Sequence, residues 1–419
     1  MCALISEGMV VVAARHLTPI TRHIPSLGVL SSATVELPKM TTQGAALLLA
    51  VIIFTSQFPL ATPVRPATID EVVQKSAQKF MSDKHSVGLS VGVFKDNKVY
   101  TYNFGEVEKG SGERPTEHSI YEIASITKTF TGVLLAQAVV EKKVRLEDDI
   151  RTYLVGSYPN LEFNGQPIRL VHLINHTSRL PFVLPDRPEL FQNPDPLELP
   201  KILTKIESTY TRADFYEDLH KVKLDKVPGT EFKYSNAAAQ LLGYILEGIY
   251  GLPYEQLVIQ KIAKPLRMRE TKIRLSQAEK KRLAKGHYEN GSIALPATPQ
   301  TQAAGGLRSS VSDMLKYMKF HLNENNEVIR LSHKTSWGEI KYYASGLNWQ
   351  MVKTAQGHRK IWQSGGSFGF SSYCAVFPDL NVGIVLLSNE SDQNSQGRLN
   401  AMADEILAGI TLSGASTAQ

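Results

Sequence analysis

The sequence is poor in cysteine and carries no strong excess of charge of either sign. Its 419 residues include only two cysteines, Cys2 and Cys374, so the disulfide framework that stabilises small secreted domains is excluded. Lys and Arg total 46 against 40 Asp and Glu, for a formal net charge of +6. No basic run is interleaved with aromatic residues, which argues against nucleic-acid binding. The thiols do not identify the compartment.

The sequence also lacks an apolar run of comfortable membrane-spanning length. The apolar run at residues 45–54 has ten residues, whereas a transmembrane helix needs about 20. Its length and the polar residues that follow fit the core of a secretory signal. We therefore predict export, with Met40 as the true start and cleavage near residue 62. An uncleaved anchor or a buried helix is the alternative.

Residues 1–61 are accordingly interpreted as an N-terminal extension and residues 62–419 as one domain. Periodicity and turn signals predict, at the two ends of that domain, helix 68–80, strands 87–94, 98–104, 370–377 and 382–389, and helix 396–410. They predict, in the middle, helices 128–140, 237–250 and 254–263 and an irregular Pro-rich stretch at 180–200. We predict an α+β domain, in which an antiparallel sheet formed from both chain ends is flanked by helices and carries an inserted, mainly helical lobe.

Ser125 and Lys128 stand three residues apart at the start of a predicted amphipathic helix. On a helix this spacing places the hydroxyl and the amine on one face, and the helix N-terminus offers N–H groups to a developing oxyanion. A partly desolvated lysine can accept the serine proton near neutral pH. The pair is therefore a candidate nucleophile with its own base. Ser76 and Lys79 have the same spacing inside helix 68–80, where a structural role is the better interpretation.

Tyr234 and Asn236 follow a turn and come directly before the predicted helix 237–250. A tyrosine hydroxyl beside a cationic lysine can shuttle protons, and an asparagine amide can donate a hydrogen bond to a substrate carbonyl. The Tyr-x-Asn pattern occurs again at 158–160 and 288–290. Taken alone, each match is better explained by a turn and a packed aromatic ring.

Gln363, Ser364, Gly365 and Gly366 come shortly before a predicted strand. Glycines at a strand edge let a ligand backbone lie alongside, and an N–H group there can complete an oxyanion hole. Taken alone, these residues are better explained by a tight turn or a bulge.

Two histidines, His172 and His176, stand four residues apart, a spacing that can ligate a metal on one helix face. The sequence places no acidic residue between them and supplies no evident third ligand. We interpret both as structural and predict no metal site. No Gly-rich phosphate loop or dinucleotide fingerprint is present in the sequence either.

In this order and spacing, the serine–lysine pair, Tyr-x-Asn and Gln-Ser-Gly resemble the three motifs of the serine β-lactamase and penicillin-binding protein superfamily. The resemblance covers residues 70–410. It is greatest to the class C β-lactamase branch, which includes DD-carboxypeptidases, DD-endopeptidases and esterases. Within that branch, residues 170–181 are similar to the periplasmic AmpH-type carboxypeptidase/endopeptidases.

The resemblance implies a role for each candidate residue and requires no cofactor. It makes Ser125 the acylated nucleophile, Lys128 its activating partner and Tyr234 the base that returns a proton to the leaving group. The backbone N–H groups of Ser125 and Gly366 would form the oxyanion hole. The residues to which it assigns substrate binding are Asn236, Gln363, Ser364, Gly365 and Gly366.

One residue departs from the family pattern. The first position of the third motif is usually Lys or His, which helps to hold a substrate carboxylate, and here it is Gln363. A neutral amide donates a weaker hydrogen bond than a cation does. Arg359 shares the strand parity of Gln363 but lies four residues away, about 13 Å along an extended chain. It is therefore a poor substitute.

The resemblance leaves three functions open. The first is an exported, periplasmic DD-carboxypeptidase or endopeptidase that cleaves D-Ala-containing peptidoglycan peptides through an acyl-enzyme and binds penicillin. The second is a class C-like β-lactamase or a promiscuous esterase. The third is a non-catalytic peptidoglycan or β-lactam sensor, which the intact Ser125, Lys128 and Tyr234 disfavour. The expected partners are peptidoglycan peptides, β-lactams or esters, with membrane association through the N-terminal segment as an option and the oligomeric state left open.

Overall fold

The computed structural model describes residues 67–298 and 302–415, with the side chains of 412–415 excluded. The predicted secretory signal, the proposed start at Met40 and the cleavage point near residue 62 lie outside the described residues. Within the described ranges, no helix combines the length and the apolar character that crossing a bilayer would need.

Eight of the described strands form one antiparallel sheet. In chain order the strands are β1 (Gly88–Lys95), β2 (Lys98–Gly105), β3 (Ile120–Glu122), β4 (Glu162–Phe163), β5 (Gln166–Pro167), β6 (His287–Tyr288), β7 (Arg308–Ser310), β8 (Trp337–Glu339), β9 (Tyr343–Ser345), β10 (Gln350–Lys353), β11 (Arg359–Gly366), β12 (Ser371–Phe377), β13 (Val382–Ser388) and β14 (Glu390–Ser391). The order across the sheet is β2-β1-β13-β12-β11-β10-β9-β8. Strand β1 pairs with β13, from Leu89 opposite Ser388 to Lys95 opposite Val382. The prediction that both chain ends build one antiparallel sheet is confirmed.

The helices that the sequence predicts are all present, with small shifts at their ends. In chain order the described helices are α1 (Ile69–Met81), α2 (Thr127–Val140), α3 (Leu170–Ile174), α4 (Glu198–Thr209), α5 (Arg212–Lys221), α6 (Asn236–Tyr250), α7 (Tyr254–Val258), α8 (Gln277–Lys280), α9 (Gln302–Gly305), α10 (Val311–Leu322), α11 (Glu327–Ser332) and α12 (Ser395–Ala415). The predicted helix 254–263 continues past α7 as a wider turn, Ile259–Ala263.

Local sequence signals explain where several elements begin. Helix α1 starts at a capping box, in which the Thr68 hydroxyl accepts from the Glu71 amide and the Glu71 carboxylate accepts from the Thr68 amide. The turn between β1 and β2 holds Asp96 at φ 50° and Asn97 at φ 63°. Positive φ at both central residues matches the twist of a two-residue hairpin, and Asp and Asn tolerate it.

The sheet separates two hydrophobic cores. On one face, Val91 and Leu386 belong to the core that α1 and α12 cover. On the other face, Phe94 and Leu387 belong to the larger core, which extends through α10 into the helical lobe. Neighbouring strand residues point to opposite faces, so the same strands supply both cores.

Helix α2 differs from the amphipathic helix that its sequence predicts. Most of its apolar residues are buried as expected, but Lys128, Thr129 and Thr131 are also fully buried, because α6, α9 and α11 pack around the helix. The buried hydroxyls have partners: Thr131 Oγ1 donates to the Ala303 carbonyl at 2.9 Å. Buried polar groups with hydrogen-bond partners are tolerated in a core. The prediction of one apolar face was wrong, and the helix is enclosed.

Two histidines form a buried hydrogen-bonded pair in the core. His321 Nδ1 lies 3.0 Å from His333 Nε2, and His333 Nδ1 lies 3.0 Å from the Glu324 carboxylate. Arg359, at the start of β11, pairs with the same carboxylate. Burial lowers the pKa of both imidazoles. The pair is therefore neutral at physiological pH.

We expect the free energy of unfolding to fall as the pH drops from 7 to 5. Burial also lowers the pKa of His172 to about 4 and of His176 to about 3. An unfolded histidine takes up a proton near pH 6.5, so each one held neutral by the fold costs about 2 kcal/mol by pH 5. Burial raises the pKa of Glu207 and raises that of Glu390 to about 7, which partly offsets this loss. Urea unfolding at both pH values measures the difference, and His321→Gln should reduce it by about one proton's contribution. Constant or higher stability at pH 5 would contradict the prediction.

Candidate active site

Ser125 is presented by a sharp turn between β3 and α2. Ala124 has φ 44°, and the helical turn Ala124–Ile126 follows at once and leads into α2. A positive φ is uncommon for a residue with a Cβ and is found where the surrounding structure enforces it. The turn places Ser125 in the wall of a cavity of about 1350 Å³, where the helical lobe meets the end of β11.

The three predicted catalytic side chains converge on one point. Ser125 Oγ lies 2.7 Å from the Tyr234 hydroxyl and accepts a hydrogen bond from Lys128 Nζ at 3.0 Å. Lys128 is fully buried, donates to the Ala304 carbonyl at 2.6 Å and lies 4.8 Å from the centre of the Tyr234 ring. A serine hydroxyl that touches both an amine and a phenol has two groups within reach of its proton. The arrangement fits nucleophilic catalysis.

A neighbouring segment holds the chain around Tyr234. Ser235 caps α6, and its hydroxyl also donates to the Pro181 carbonyl at 2.6 Å. The backbone N–H of Asn236 donates to the Phe182 carbonyl at 2.7 Å. The Asn236 residue lines the cavity together with Ser125. The first turn of α6 therefore brings Tyr234 and Asn236 to the same place.

The four residues of the third motif have different environments. Gly366, the last residue of β11, lines the cavity with Ser125, whereas Gln363, Ser364 and Gly365 are not among the described lining residues. Gly365 packs tightly against the turn that carries Ser125, because a Cβ atom there would lie 3.0 Å from the Ser125 amide nitrogen. The third motif therefore packs against the turn that carries Ser125, and its last residue, Gly366, lines the cavity.

The side chain of Gln363 is bound within the protein. It is buried, and its Nε2 donates to the Asn348 carbonyl at 2.8 Å, while its Oε1 accepts from Gln350 Nε2 at 2.9 Å. A substrate contact through this amide would require that network to open. Arg359 pairs with Glu324 and Asp379 and does not take its place.

The Pro-rich stretch forms a wall of the cavity. It is irregular, as predicted, apart from the short helical turn Pro188–Phe191 and its last three residues, with which α4 begins. Together with α4 it contributes an apolar lining that includes Phe182, Leu184, Leu190, Phe191, Leu199 and Ile206. The sequence interpretation missed this role, since the stretch contains no residue pattern that carries chemistry.

The charged residues of the cavity lining are mostly acidic. Glu207, Glu289 and Asp392 line it, and burial raises the pKa of Glu207. The basic side chain among the described lining residues is Arg187, which pairs with Glu189. Asp392 is paired with Arg398, and the raised pKa of Glu207 favours its neutral form, so the lining offers a substrate carboxylate little net charge of either sign.

The other pattern matches have structural environments. Ser76 is buried in α1, on the far face of the sheet, and Lys79 pairs with Glu405. Tyr158 stacks on the His220 ring at 4.0 Å. The third Tyr-x-Asn match, 288–290, lies in a turn that borders the cavity, which the sequence interpretation did not anticipate.

The two histidines do not share a helix face. Helix α3 ends at Ile174, and His176 follows with φ 61°. His172 Nδ1 accepts from the Arg169 amide, and His176 Nδ1 accepts from the Ser235 amide. The i, i+4 geometry on which a metal site depended is therefore not formed.

A serine hydroxyl in contact with a buried lysine and a tyrosine is an arrangement that fits the class of serine hydrolases. The profile of the Beta-lactamase family matches residues 73–408. The chain belongs to the β-lactamase family, as its motifs predict.

Known relatives are similar over most of their length. The D-alanyl-D-alanine-carboxypeptidase/endopeptidase AmpH of Escherichia coli K12 is 27% identical over 372 residues, which cover 83% of this chain and 92% of that protein. A β-lactamase of the same strain is 25% identical over 375 residues, covering 80% and 92%. A solved β-lactamase/D-alanine carboxypeptidase from Yersinia pestis superposes with a TM-score of 0.67 at 26% identity, covering 81% of this chain and 98% of that one. One from Pseudomonas syringae, at 20% identity, has a TM-score of 0.69 over 82% and 99% and shows the shared fold.

Proposed function

We propose that the protein hydrolyses acyl groups through an acyl-enzyme on Ser125, and that D-alanyl peptides of peptidoglycan are its substrates. The observation that carries the proposal is the contact of Ser125 Oγ with both Lys128 Nζ and the Tyr234 hydroxyl at the cavity wall. The substrate class is supported by the relative named as a D-alanyl-D-alanine carboxypeptidase/endopeptidase.

In this mechanism Tyr234 reacts as the phenolate, which the Lys128 ammonium stabilises. Ser125 Oγ attacks the substrate carbonyl carbon while its proton passes to that phenolate oxygen. The tetrahedral oxyanion accepts hydrogen bonds from the N–H groups of Ser125 and Gly366, which stabilise the developing charge. The C–N bond then breaks, and Tyr234 returns the proton to the leaving amine. Asn236 donates to the substrate amide. The base, nucleophile and oxyanion donors are all protein groups.

Deacylation reverses the proton route. A water molecule attacks the acyl carbonyl and gives its proton to Tyr234. The ester bond to Ser125 then breaks, and Ser125 Oγ recovers a proton. The rate of this step distinguishes a penicillin-sensitive peptidase, which hydrolyses its penicilloyl-enzyme slowly, from a β-lactamase, which hydrolyses it fast.

A second candidate function, hydrolysis of neutral esters, is favoured by the binding of Gln363 within the protein. Substrates with a terminal carboxylate gain from a cation at the third motif, and here the Gln363 amide is occupied by Asn348 and Gln350. The apolar wall of the cavity favours an uncharged acyl donor over an anionic one.

The proposal predicts that a fluorescent penicillin labels Ser125. Mass spectrometry of the labelled full chain should place the adduct on the Ser125 peptide and leave the Ser76 peptide unmodified, because Ser76 lies on the far face of the sheet. Turnover of a D-Ala-D-Ala peptide is then compared with that of a neutral p-nitrophenyl ester. Faster turnover of the peptide supports the peptidase function, and faster turnover of the ester supports the second candidate function. No adduct and no turnover of either substrate would refute acyl transfer at Ser125.

Export to the periplasm remains part of the proposal. It depends on the apolar run at 45–54, which lies outside the described residues. Membrane association through the same segment has the same basis.

A further inference from the structure

The imidazole of His176 packs directly against the ring of Tyr234. The ring centres lie 4.2 Å apart with an angle of 30° between the planes, and His176 is 4% exposed. The mechanism gives His176 no role. A buried polar ring against the proposed base needs an explanation of its own.

His176 is bonded to the residues on both sides of Tyr234. Its carbonyl accepts from the Lys233 amide at 2.7 Å, and its Nδ1 accepts from the Ser235 amide at 3.2 Å. Ring and backbone of one residue therefore fix the chain before and after Tyr234 as well as the face of its phenol ring. The ring contact opposes rotation of the Tyr234 side chain away from Ser125, and the two backbone contacts hold the main chain from which that side chain extends.

The same contacts determine the charge of His176. A neutral imidazole that accepts at Nδ1 carries its proton on Nε2. That buried Nε2 makes no regular hydrogen bond among the described residues, and the side chain of Asn348 lies near the imidazole. Burial, and then the charge of Lys128, lower the pKa of His176 to about 3. The ring therefore adds no second positive charge beside Lys128.

The third motif reaches the same place from the other side. Gln363 Nε2 donates to the Asn348 carbonyl at 2.8 Å, and the side chain of Asn348 lies near the His176 imidazole. Gln363 is thus connected through Asn348 to the ring that packs on Tyr234.

We propose that His176 is a positioning residue for the reaction at Ser125. As an uncharged ring, it holds the Tyr234 hydroxyl against Ser125 Oγ and the Tyr234 ring beside Lys128, and it transfers no proton. This proposal rests on the proposed function, because it concerns the same site.

The positioning role of His176 is tested by measuring the acylation kinetics of the full chain with a fluorescent penicillin. His176→Ala is expected to lower the first-order acylation rate of the bound complex by about 10- to 100-fold, since small misplacements of a reacting group have effects of this size. The dissociation constant of the complex should stay within about threefold, because no substrate contact is removed. His176→Phe keeps an uncharged ring and should recover most of the lost rate.

A matched control is available four residues away. His172 is also largely buried, and its Nδ1 likewise accepts a backbone amide, but from Arg169 rather than beside Tyr234. His172→Ala should lower the melting temperature and leave the acylation rate per folded molecule within about twofold. Circular dichroism gives the folded fraction for each variant. If His176→Ala does not fold, His176→Gln, which is uncharged but has no ring, takes its place with the same expected loss.

The pH dependence of the acylation rate tests the remaining alternative, in which His176 itself transfers a proton. Wild type and His176→Phe should share one profile of acylation rate between about pH 5 and 8, because His176 does not titrate there. An altered acidic limb would show that His176 transfers protons and would overturn the proposal. An unchanged rate in His176→Ala would overturn it while leaving the Ser125 adduct intact. The absence of a Ser125 adduct in wild type would overturn the proposed function as well.

Discussion

Replacing Lys128 with methionine should lower the acylation rate of Ser125 by about 10⁴-fold, the scale seen when a member of a catalytic unit is removed. Lys128 is fully buried and donates to Ser125 Oγ at 3.0 Å, so its charge acts directly on the nucleophile at a point shielded from bulk solvent. Methionine is unbranched and of similar length, so it fills the same space without the charge. Rapid-mixing kinetics with a fluorescent penicillin or an ester measures the loss.

Controls separate this unit from the pattern that resembles it. The reaction rate of Ser125→Ala should fall to the same residual value. The double variant should be no slower than either single variant, because the effects of residues that act together are not additive. Lys79→Ala removes the lysine of the second Ser-x-x-Lys match and should leave the rate unchanged. A Lys128→Met variant that keeps a tenth of the activity, or a Lys79→Ala variant that loses as much, would contradict the assignment.

Local signals made most of the fold predictable. The capping box at Thr68, the Asp96-Asn97 turn and the alternation of apolar residues act over a few neighbours, so they can be read without knowing the fold. The two predicted strand pairs, one near each end of the domain, then led to the prediction of a single sheet. The character of α2 was not predictable in this way, because the partners that bury Thr131, such as the Ala303 carbonyl, lie far along the chain.

The candidate site was predictable only in part. Two of the three motifs had competitors of equal spacing, such as Ser76 for Ser125, and the order of the three motifs separated them through the family resemblance. The hydrogen bonds of Gln363 to Asn348 and Gln350 have no sequence signal. Neither has the contact of His176 with Ser235, which joins residues 59 positions apart. Interactions of this range depend on the completed fold.

Gly365→Ala should reduce kcat/KM by about 10²- to 10³-fold, the cost of losing an oxyanion donor. A Cβ atom at this position would lie 2.3 Å from the Ile123 carbonyl oxygen, 2.5 Å from Ser372 Oγ and 3.0 Å from the Ser125 nitrogen. The first contact involves backbone, so a side-chain rotation cannot relieve it. Either β11 or the turn before Ser125 must move, and either shift displaces the Ser125 amide relative to Gly366. Steady-state kinetics with a neutral ester measures the loss.

Gly248→Ala provides the matched control for the added methyl group. Gly248 lies in α6, and a Cβ there meets no atom within 4 Å, so alanine should stabilise the helix by about 0.5–1 kcal/mol without changing kcat/KM. Gly365→Ala should instead lower the melting temperature, because the core at that point has no room for overpacking. If the Gly365→Ala variant remains folded and within threefold of wild type, the Ser125 amide is not held by β11, and its place in the oxyanion hole would have to be abandoned.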